Sequence, residues 1–506
     1  MNLQHPIYDM LVIGGGINGV GIACDAAGRG LSVLLCEKDD LASHTSSASS
    51  KLIHGGLRYL EHKEFRLVRE ALAEREVLLK KAPHIIRPMR FIMPHEPHLR
   101  PAWLIRLGLF FYDHLGKREQ LASSNLVEFS DVDSPLNSGI TKGFEYSDCA
   151  VDDARLVVLN AMQARELGAD IYTRTRCVAA YQENGHWQVQ LENEHGIHLV
   201  QAKVLVNAAG PWVAEFIQQG LQQKSPYGIR LIQGSHIIVP KLYAGDKAFI
   251  MQNDDQRIVF AIPYLQAYTL IGTTDREYQG DPEHVEITQE EIDYLLEVSN
   301  HHFKTQLTQR DIVATYSGVR PLCDDESDNP SAVTRDYTLA LSDEGAGHAP
   351  LLSVFGGKLT TYRKLAESAM TTLKAYFPQM TQAWTAEAML PGAENLHSIE
   401  QLIEDIQQQL GDIDAEIASR WAHAYGTRVW QLLDAATSIQ ELGQYFGHGV
   451  YAQEVDYLVT HEWARSSEDI LKRRSKLYLQ FSDPEVQALD EYLVELHARQ
   501  QSQEVA

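Results

Sequence analysis

Gly14, Gly16 and Gly19 are spaced G-x-G-x-x-G, directly after the apolar run Y-D-M-L-V-I and before a stretch of small residues that includes Ala23. Each position has a physical use. Gly14 permits the sharp turn, Gly16 lets a diphosphate approach the backbone, and Gly19 lets helix touch strand. The diphosphate then rests on the unpaired N–H groups and positive dipole end of the helix, beside Asn18. Glu37 ends the apolar run S-V-L-L-C-E, where a carboxylate accepts hydrogen bonds from ribose hydroxyls. That acid disfavours a nicotinamide cofactor with a 2′-phosphate and leaves NAD and FAD both open. A plain strand–turn–helix explains the glycines alone, but not their agreement with the strand, the helix and the acid.

The stretch that follows, S-H-T-S-S-A-S-S-K-L-I-H-G-G-L-R-Y (43–59), is too polar and glycine-rich for a core element. A Ser-rich linker is the ordinary reading. Joined directly to a dinucleotide fold, its hydroxyl and amide donors suit a flavin and its ribityl chain. Thr45, Ser46, Ser47, Ser49, Ser50, Lys51, Leu52, His54 and Gly55 are the expected contacts. Three later places complete the set: Val178, at the tail of a strand; Ala209 and Gly210, closing K-V-L-V-N-A-A-G-P-W; and Gly356, Gly357, Lys358, Leu359 and Thr360 in S-V-F-G-G-K-L-T-T. A helix start at this last turn stabilises negative charge on a reduced ring. No second G-x-G-x-x-G and no C-x-x-C follow, which points to direct oxidation of a substrate C–H bond by FAD. His54 and His236 are the candidate bases for the accompanying proton. Alternatively, Arg320 lowers the pKa of the substrate hydroxyl and water takes the proton.

T-S-S-A-S-S-K-L-I-H-G-G-L-R-Y-L, together with the glycine turns above, resembles the FAD-dependent, quinone-linked (aerobic) glycerol-3-phosphate dehydrogenase family, and the similarity runs through nearly the whole chain. The resemblance implies oxidation of sn-glycerol 3-phosphate to dihydroxyacetone phosphate, with electrons passed to a membrane quinone by a monotopic protein. A phosphate dianion suits planar guanidinium groups. Arg58, Arg320 and Arg335, with Tyr59, Thr273 and Lys358, are the expected substrate contacts. Rival readings are an oxidase that uses oxygen, an amino-acid-type flavin oxidase, and an adaptor whose FAD is structural.

The elements that must position these residues define an α/β protein. An FAD-binding Rossmann-type domain is expected from 1–90, 143–225 and 311–385. A mixed or antiparallel-sheet substrate domain is expected from 91–142 and 226–310, and a C-terminal α-helical domain from 386–506. Asp152 or Asp153 should cap a helix that stops near Gly168, followed by a meander over 179–202. E-F-R-L-V-R-E-A-L-A-E-R-E-V-L-L-K-K reads as a charged surface helix ended by Pro83. R-P-A-W-L-I-R-L-G-L-F-F-Y-D-H-L-G-K-R (100–118) is nearly all apolar between its charges. Fourteen basic residues stand against seven acidic ones from Lys51 to Arg118, inside a chain of net charge −24. That pattern fits a helix lying in a membrane interface; a buried helix is the alternative.

Composition bounds the rest. The 506 residues, 44% of them hydrophobic and 22% charged, suit a globular protein of two or three domains. The acidic balance argues against nucleic acid as a partner. Cys24, Cys36, Cys149, Cys177 and Cys323 form neither a disulfide framework nor a zinc pattern. No signal peptide and no bilayer-length apolar run is evident. A cytoplasmic protein bound to the inner face of the cytoplasmic membrane is expected, without a metal, and a homodimer is compatible with the helical C-terminal part.

Overall fold

The strand Tyr8–Ile13 (β1) is apolar on both faces, as a strand covered on each side must be, with helices on one face and Trp187, Val189 and Leu191 on the other, and lies inside the first of two large sheets. The computed structural model describes residues 1, 3–60, 64–96, 101–116, 118–130, 134–253, 255, 257–324, 337–343, 345 and 348–505, side chains at 58, 59 and 501–505 excepted. From β1 the chain turns into the helix Ile17–Gly28 (α1) and returns as the strand Val33–Cys36 (β2), parallel to β1. The strands Gly196–Asn207 and Leu351–Phe355 extend the parallel sheet on one side, and Asp170–Tyr172 extends it on the other. An antiparallel meander, Arg176–Glu183 and His186–Asn193, leads into Gly196–Asn207, as the alternation over 179–202 predicts.

Small residues let α1 sit close to its neighbours. A Cβ on Gly19 would lie 1.9 Å from the Gly14 carbonyl oxygen, and one on Gly21 would lie 2.8 Å from the Tyr362 ring. The helix Asp153–Glu166 packs beside α1, its N-cap Asp152 accepting from the Arg155 amide.

The second sheet has ten strands and is mostly antiparallel. Gly228–Pro240 pairs with Tyr268–Gly272, Arg276–Tyr278 and Ala314–Asp324. Ile86–Pro94 pairs antiparallel with Lys142–Val151 in the same sheet. Three strands assigned by the sequence largely to the nucleotide-binding fold, around 86–94, 142–151 and 314–324, thus pair in the second sheet. A strand's own alternation fixes which side chains share a face; it does not name the strand across the ladder.

The helix Phe65–Lys81 also departs from expectation. It is largely buried instead of lying on the surface, and its inward charges are matched. Glu74 receives Arg363 at 2.5 and 2.8 Å, Arg75 reaches Asp148 at 2.6 Å, and Lys81 donates to the carbonyls of Thr385 and Ala388. The helix Ala102–His114 does the reverse. Leu109 and Tyr112 face inward, while Trp103, Leu104, Leu107, Phe110 and Phe111 face outward.

Beyond Ser398 the chain is a helical unit around a core that includes Trp421, Tyr425 and Leu458. Buried ion pairs fasten it to the first sheet. Arg155 makes a two-pronged contact with Glu462, Arg473 and Arg474 both reach Asp40, and Lys476 reaches Asp152 at 2.6 Å. Removing one partner of such a pair strands a charge in a low dielectric, at a cost of about 3–5 kcal/mol, whereas replacing both by apolar groups is often near neutral. Arg155→Met should therefore lower the melting temperature and expose the C-terminal unit to limited proteolysis, while Arg155→Met/Glu462→Leu recovers most of the loss. Equal melting of wild type and the single variant would show that the pair does not hold the unit in place.

Candidate active site

A cavity of about 720 Å³ runs from the glycine turn after β1 to the face of the second sheet, within the range of ligand pockets of about 300–1,000 Å³. Gly14, with φ +110°, makes the bend that only glycine adopts freely, and a Cβ there would lie 2.5 Å from the Ala208 carbonyl oxygen. At Gly16 the space is open except for Ser46 Oγ, 3.1 Å from where a Cβ would be. Ser46 Oγ also accepts from the Ile17 amide at 3.0 Å, tying the Ser-rich loop to the start of α1. Glu37 accepts from the amides of Gly15 at 2.6 Å and Asp39 at 2.9 Å, and burial raises its carboxyl above the ordinary value against those two amides.

Gly14, Gly16, Asn18, Glu37, Thr45, Ser46, Ser49, Ser50, Leu52, Val178, Ala209, Gly210, Gly356, Gly357, Leu359 and Thr360 all line the cavity. His54, His236, Thr273, Arg320 and Lys358 line it as well. Gly19, Ser47, Lys51 and Gly55 lie off its lining. Gly19 serves helix packing, and Lys51 is buried against Asp153 at 2.9 Å while donating to the Ser47 carbonyl. The Gly55 amide donates to Tyr112 Oη at 2.8 Å. The side chains of Arg58 and Tyr59, and the whole of Arg335, fall outside the described residues.

Sheet register builds the wall of the cavity that carries His236 and Arg320. His236 lies opposite Tyr316 on one neighbouring strand and opposite Gly272 on the other. Its ring stacks on Tyr316 at 4.7 Å and 15°, and a Cβ on Gly272 would stand 2.2 Å from the imidazole. Nε2 lies 2.9 Å from Ser50 Oγ, while Nδ1 is buried without a partner among the described residues. Burial, with Lys51 and Arg320 nearby, pushes the imidazole down to about 3 and keeps it neutral near neutral pH. Arg320 is held by the Thr274 carbonyl and Asp275 Oδ1, each at 3.0 Å.

Behind this wall stands a group the sequence reading missed. Glu291 accepts from Ser235 Oγ at 2.9 Å, Thr274 Oγ1 at 2.5 Å and Gln233 Nε2 at 2.9 Å, so it fixes the turn that carries Thr273 and holds Arg320. T-x-x-E at 288–291 announces a capping box, which forms here; only the tertiary partners show what else the carboxylate does.

A parallel sheet with a glycine cradle at its β1–α1 turn, opening onto a mixed sheet that presents histidine and arginine, defines a flavin-dependent oxidoreductase. Comparison agrees. Residues 9–363 match the FAD dependent oxidoreductase family, and residues 383–501 match the C-terminal domain of alpha-glycerophosphate oxidase. The chain is 65% identical to a glycerol-3-phosphate dehydrogenase of Pseudomonas aeruginosa, over 97% of this chain and 96% of that protein. It is 55% identical to the aerobic glycerol-3-phosphate dehydrogenase of Escherichia coli (96% and 97% covered), and 50% identical to a D-erythritol 1-phosphate dehydrogenase of Brucella abortus (96% and 97%). The solved glycerol-3-phosphate dehydrogenase of Bacillus halodurans, complexed with FAD, superposes with a TM-score of 0.76 at 27% identity, covering 99% of this chain and 92% of that one. The chain belongs to the FAD-dependent glycerol-3-phosphate dehydrogenase family.

The residues fit FAD. Asn18 Oδ1 is buried beside the Gly356–Gly357 turn with no partner among the described residues, an acceptor awaiting a donor, and the Gly16 backbone is bare where a diphosphate must approach. Gly16→Val should leave the far-UV circular dichroism intact and strip most of the flavin, because φ is ordinary there and the added side chain meets only the Ser46 hydroxyl and the cradle. Full flavin content in that variant would place the diphosphate elsewhere.

Proposed function

We propose that this enzyme oxidises sn-glycerol 3-phosphate to dihydroxyacetone phosphate and delivers the electrons to a membrane quinone. The observation that carries the reading is one cavity joining the glycine cradle to a wall of His54, His236, Thr273, Arg320 and Lys358. FAD, held by the Gly14–Gly16 turn, Glu37 and the Ser-rich loop, would supply the acceptor for the substrate's hydride. The chain's own groups do the rest. Arg320 and Lys358 hold the phosphate dianion, with Arg58, Tyr59 and Arg335 as further candidates, and Thr273 orients the polyol. His236, neutral and with Nδ1 unpartnered, takes the hydroxyl proton; His54 is the other candidate. An anionic substrate offsets the charges of Lys51 and Arg320 and so raises the proton affinity of His236.

The outward face of Ala102–His114 favours a lipid surface as the docking partner. Trp103 is 67% exposed and Phe110 55%, Leu104, Leu107 and Phe111 continue the patch, and Phe65 packs edge-on against Phe111. Arg106 and Arg66 are exposed beside it, as headgroup contacts require. No helix among the described residues is long and apolar enough to cross a membrane. In this reading the protein lies on the inner face of the cytoplasmic membrane with this patch among the acyl chains. Leu109 points inward and takes no part.

Three outcomes are expected. Anaerobic glycerol 3-phosphate should bleach the flavin band, and faster than D-erythritol 1-phosphate does; the reverse ratio would reassign the substrate. Arg320→Ala should raise KM at least tenfold while the flavin stays bound, and loss of flavin in step with activity would move Arg320 to the cofactor. Leu107→Glu/Phe110→Glu should release the protein from anionic liposomes with dye-linked activity retained, and undiminished sedimentation with the liposomes would exclude the patch.

A further inference from the structure

Away from the cavity, the end of the strand Ile86–Pro94 and the last turn of the helix Gln289–His302 bring three potential ligands together. Glu96 follows the strand, and His301 and His302 close the helix. His302 Nε2 lies 3.2 Å from Glu96 Oε1, and His301 Nε2 lies 3.3 and 3.1 Å from the two oxygens of the same carboxylate. All three ligand atoms fall within 4.8 Å of one another.

The tautomer of His302 decides what this cluster is for. Its Nδ1 lies 2.9 Å from the Val298 carbonyl oxygen, which can only accept, so Nδ1 carries a proton. The ring is 1% exposed, and its Nε2 faces Glu96 Oε1 at 3.2 Å. With Nδ1 committed to that carbonyl, Nε2 is the ring nitrogen left to ligate, and it is aimed at the carboxylate. A ring nitrogen bonding a backbone carbonyl while the other faces a carboxylate and a second imidazole is the usual support of a metal-ligating histidine. The separations of 3.1 to 3.3 Å also match the edge, about 3.3 Å, of a tetrahedron whose ligands stand about 2.0 Å from zinc.

The surroundings hold the ligands in place. Asn137 donates to the carbonyls of Asn300 and His301, and its own amide donates to the His302 carbonyl, fixing the helix end. That end is the negative pole of the helix dipole, which favours a cation. His301, 60% exposed, gives an ion a route from solvent.

We propose that Glu96, His301 and His302 form a divalent metal site with the donor set of zinc, water completing the coordination, which clasps the strand end to the helix end in the substrate half. Nitrogen donors with one carboxylate favour zinc over magnesium or calcium. The alternative is an ion pair between a protonated His302 and Glu96, which needs no metal.

The test uses the flavin-loaded full chain without a histidine tag, stripped with chelator and dialysed against Zn²⁺ alone or Mg²⁺ alone. One equivalent of zinc should remain by elemental analysis and raise the melting temperature, with no rise in magnesium. His301→Ala, at an exposed position, and Glu96→Gln should each lose both effects and keep their flavin. No retained zinc in the wild type, or the same retention and shift in both variants, would overturn the proposal. Should Glu96→Gln fold poorly, His301→Ala decides alone.

Discussion

The carboxylate of Asp153 is the contact on which the rest of the structure leans. It is fully buried at the start of a helix and accepts from Ser49 Oγ at 2.7 Å and from Lys51 Nζ at 2.9 and 3.1 Å. Lys476 of the C-terminal unit stands 3.5 Å away. Burial alone would raise this carboxyl; the two lysines hold it below its ordinary value. One ionised group thus gathers the Ser-rich loop, the nucleotide fold and the helical unit. Arg473 and Arg474 on Asp40 repeat the arrangement behind the loop after Glu37. Among the described residues the C-terminal unit lines no part of the cavity, yet its cations back both loops that do.

A second constraint comes from the sheet. Antiparallel register sets His236, Tyr316 and Gly272 side by side, so the imidazole has an aromatic ring against one face and bare backbone near the other. Lys51 Nζ sits 5.0 Å over the Tyr316 ring, which links the buried charge cluster to the histidine without entering the cavity. Glu291 does for Arg320 what Asp153 does for the loop, through hydroxyls instead of an ion pair.

Local chemistry was legible in the sequence. The glycine turn, Glu37, the Ser-rich loop, the Gly356–Gly357 turn and the Asp152 cap each need only neighbours within a few residues, and the cofactor follows from them. Partnership across the chain was not legible. Glu74, Arg75 and Lys81 look like surface charges because their partners Arg363, Asp148 and the 385–388 carbonyls lie at least seventy residues away. The strands near 86–94 and 314–324 carry a pattern that fits either sheet, and Glu291 reads as a helix cap until Ser235 and Thr274 arrive beside it.

Tyr112 ties the outward-facing helix to the cavity. Its hydroxyl reaches Asp148 at 2.7 and 2.9 Å and receives the Gly55 amide, and Asp148 lines the cavity. The rod whose apolar face is turned outward on one side is therefore a floor beam of the cavity on the other. Whatever covers that outer face therefore bears on the cavity through Tyr112 and Asp148, and the two sides of the helix are not independent.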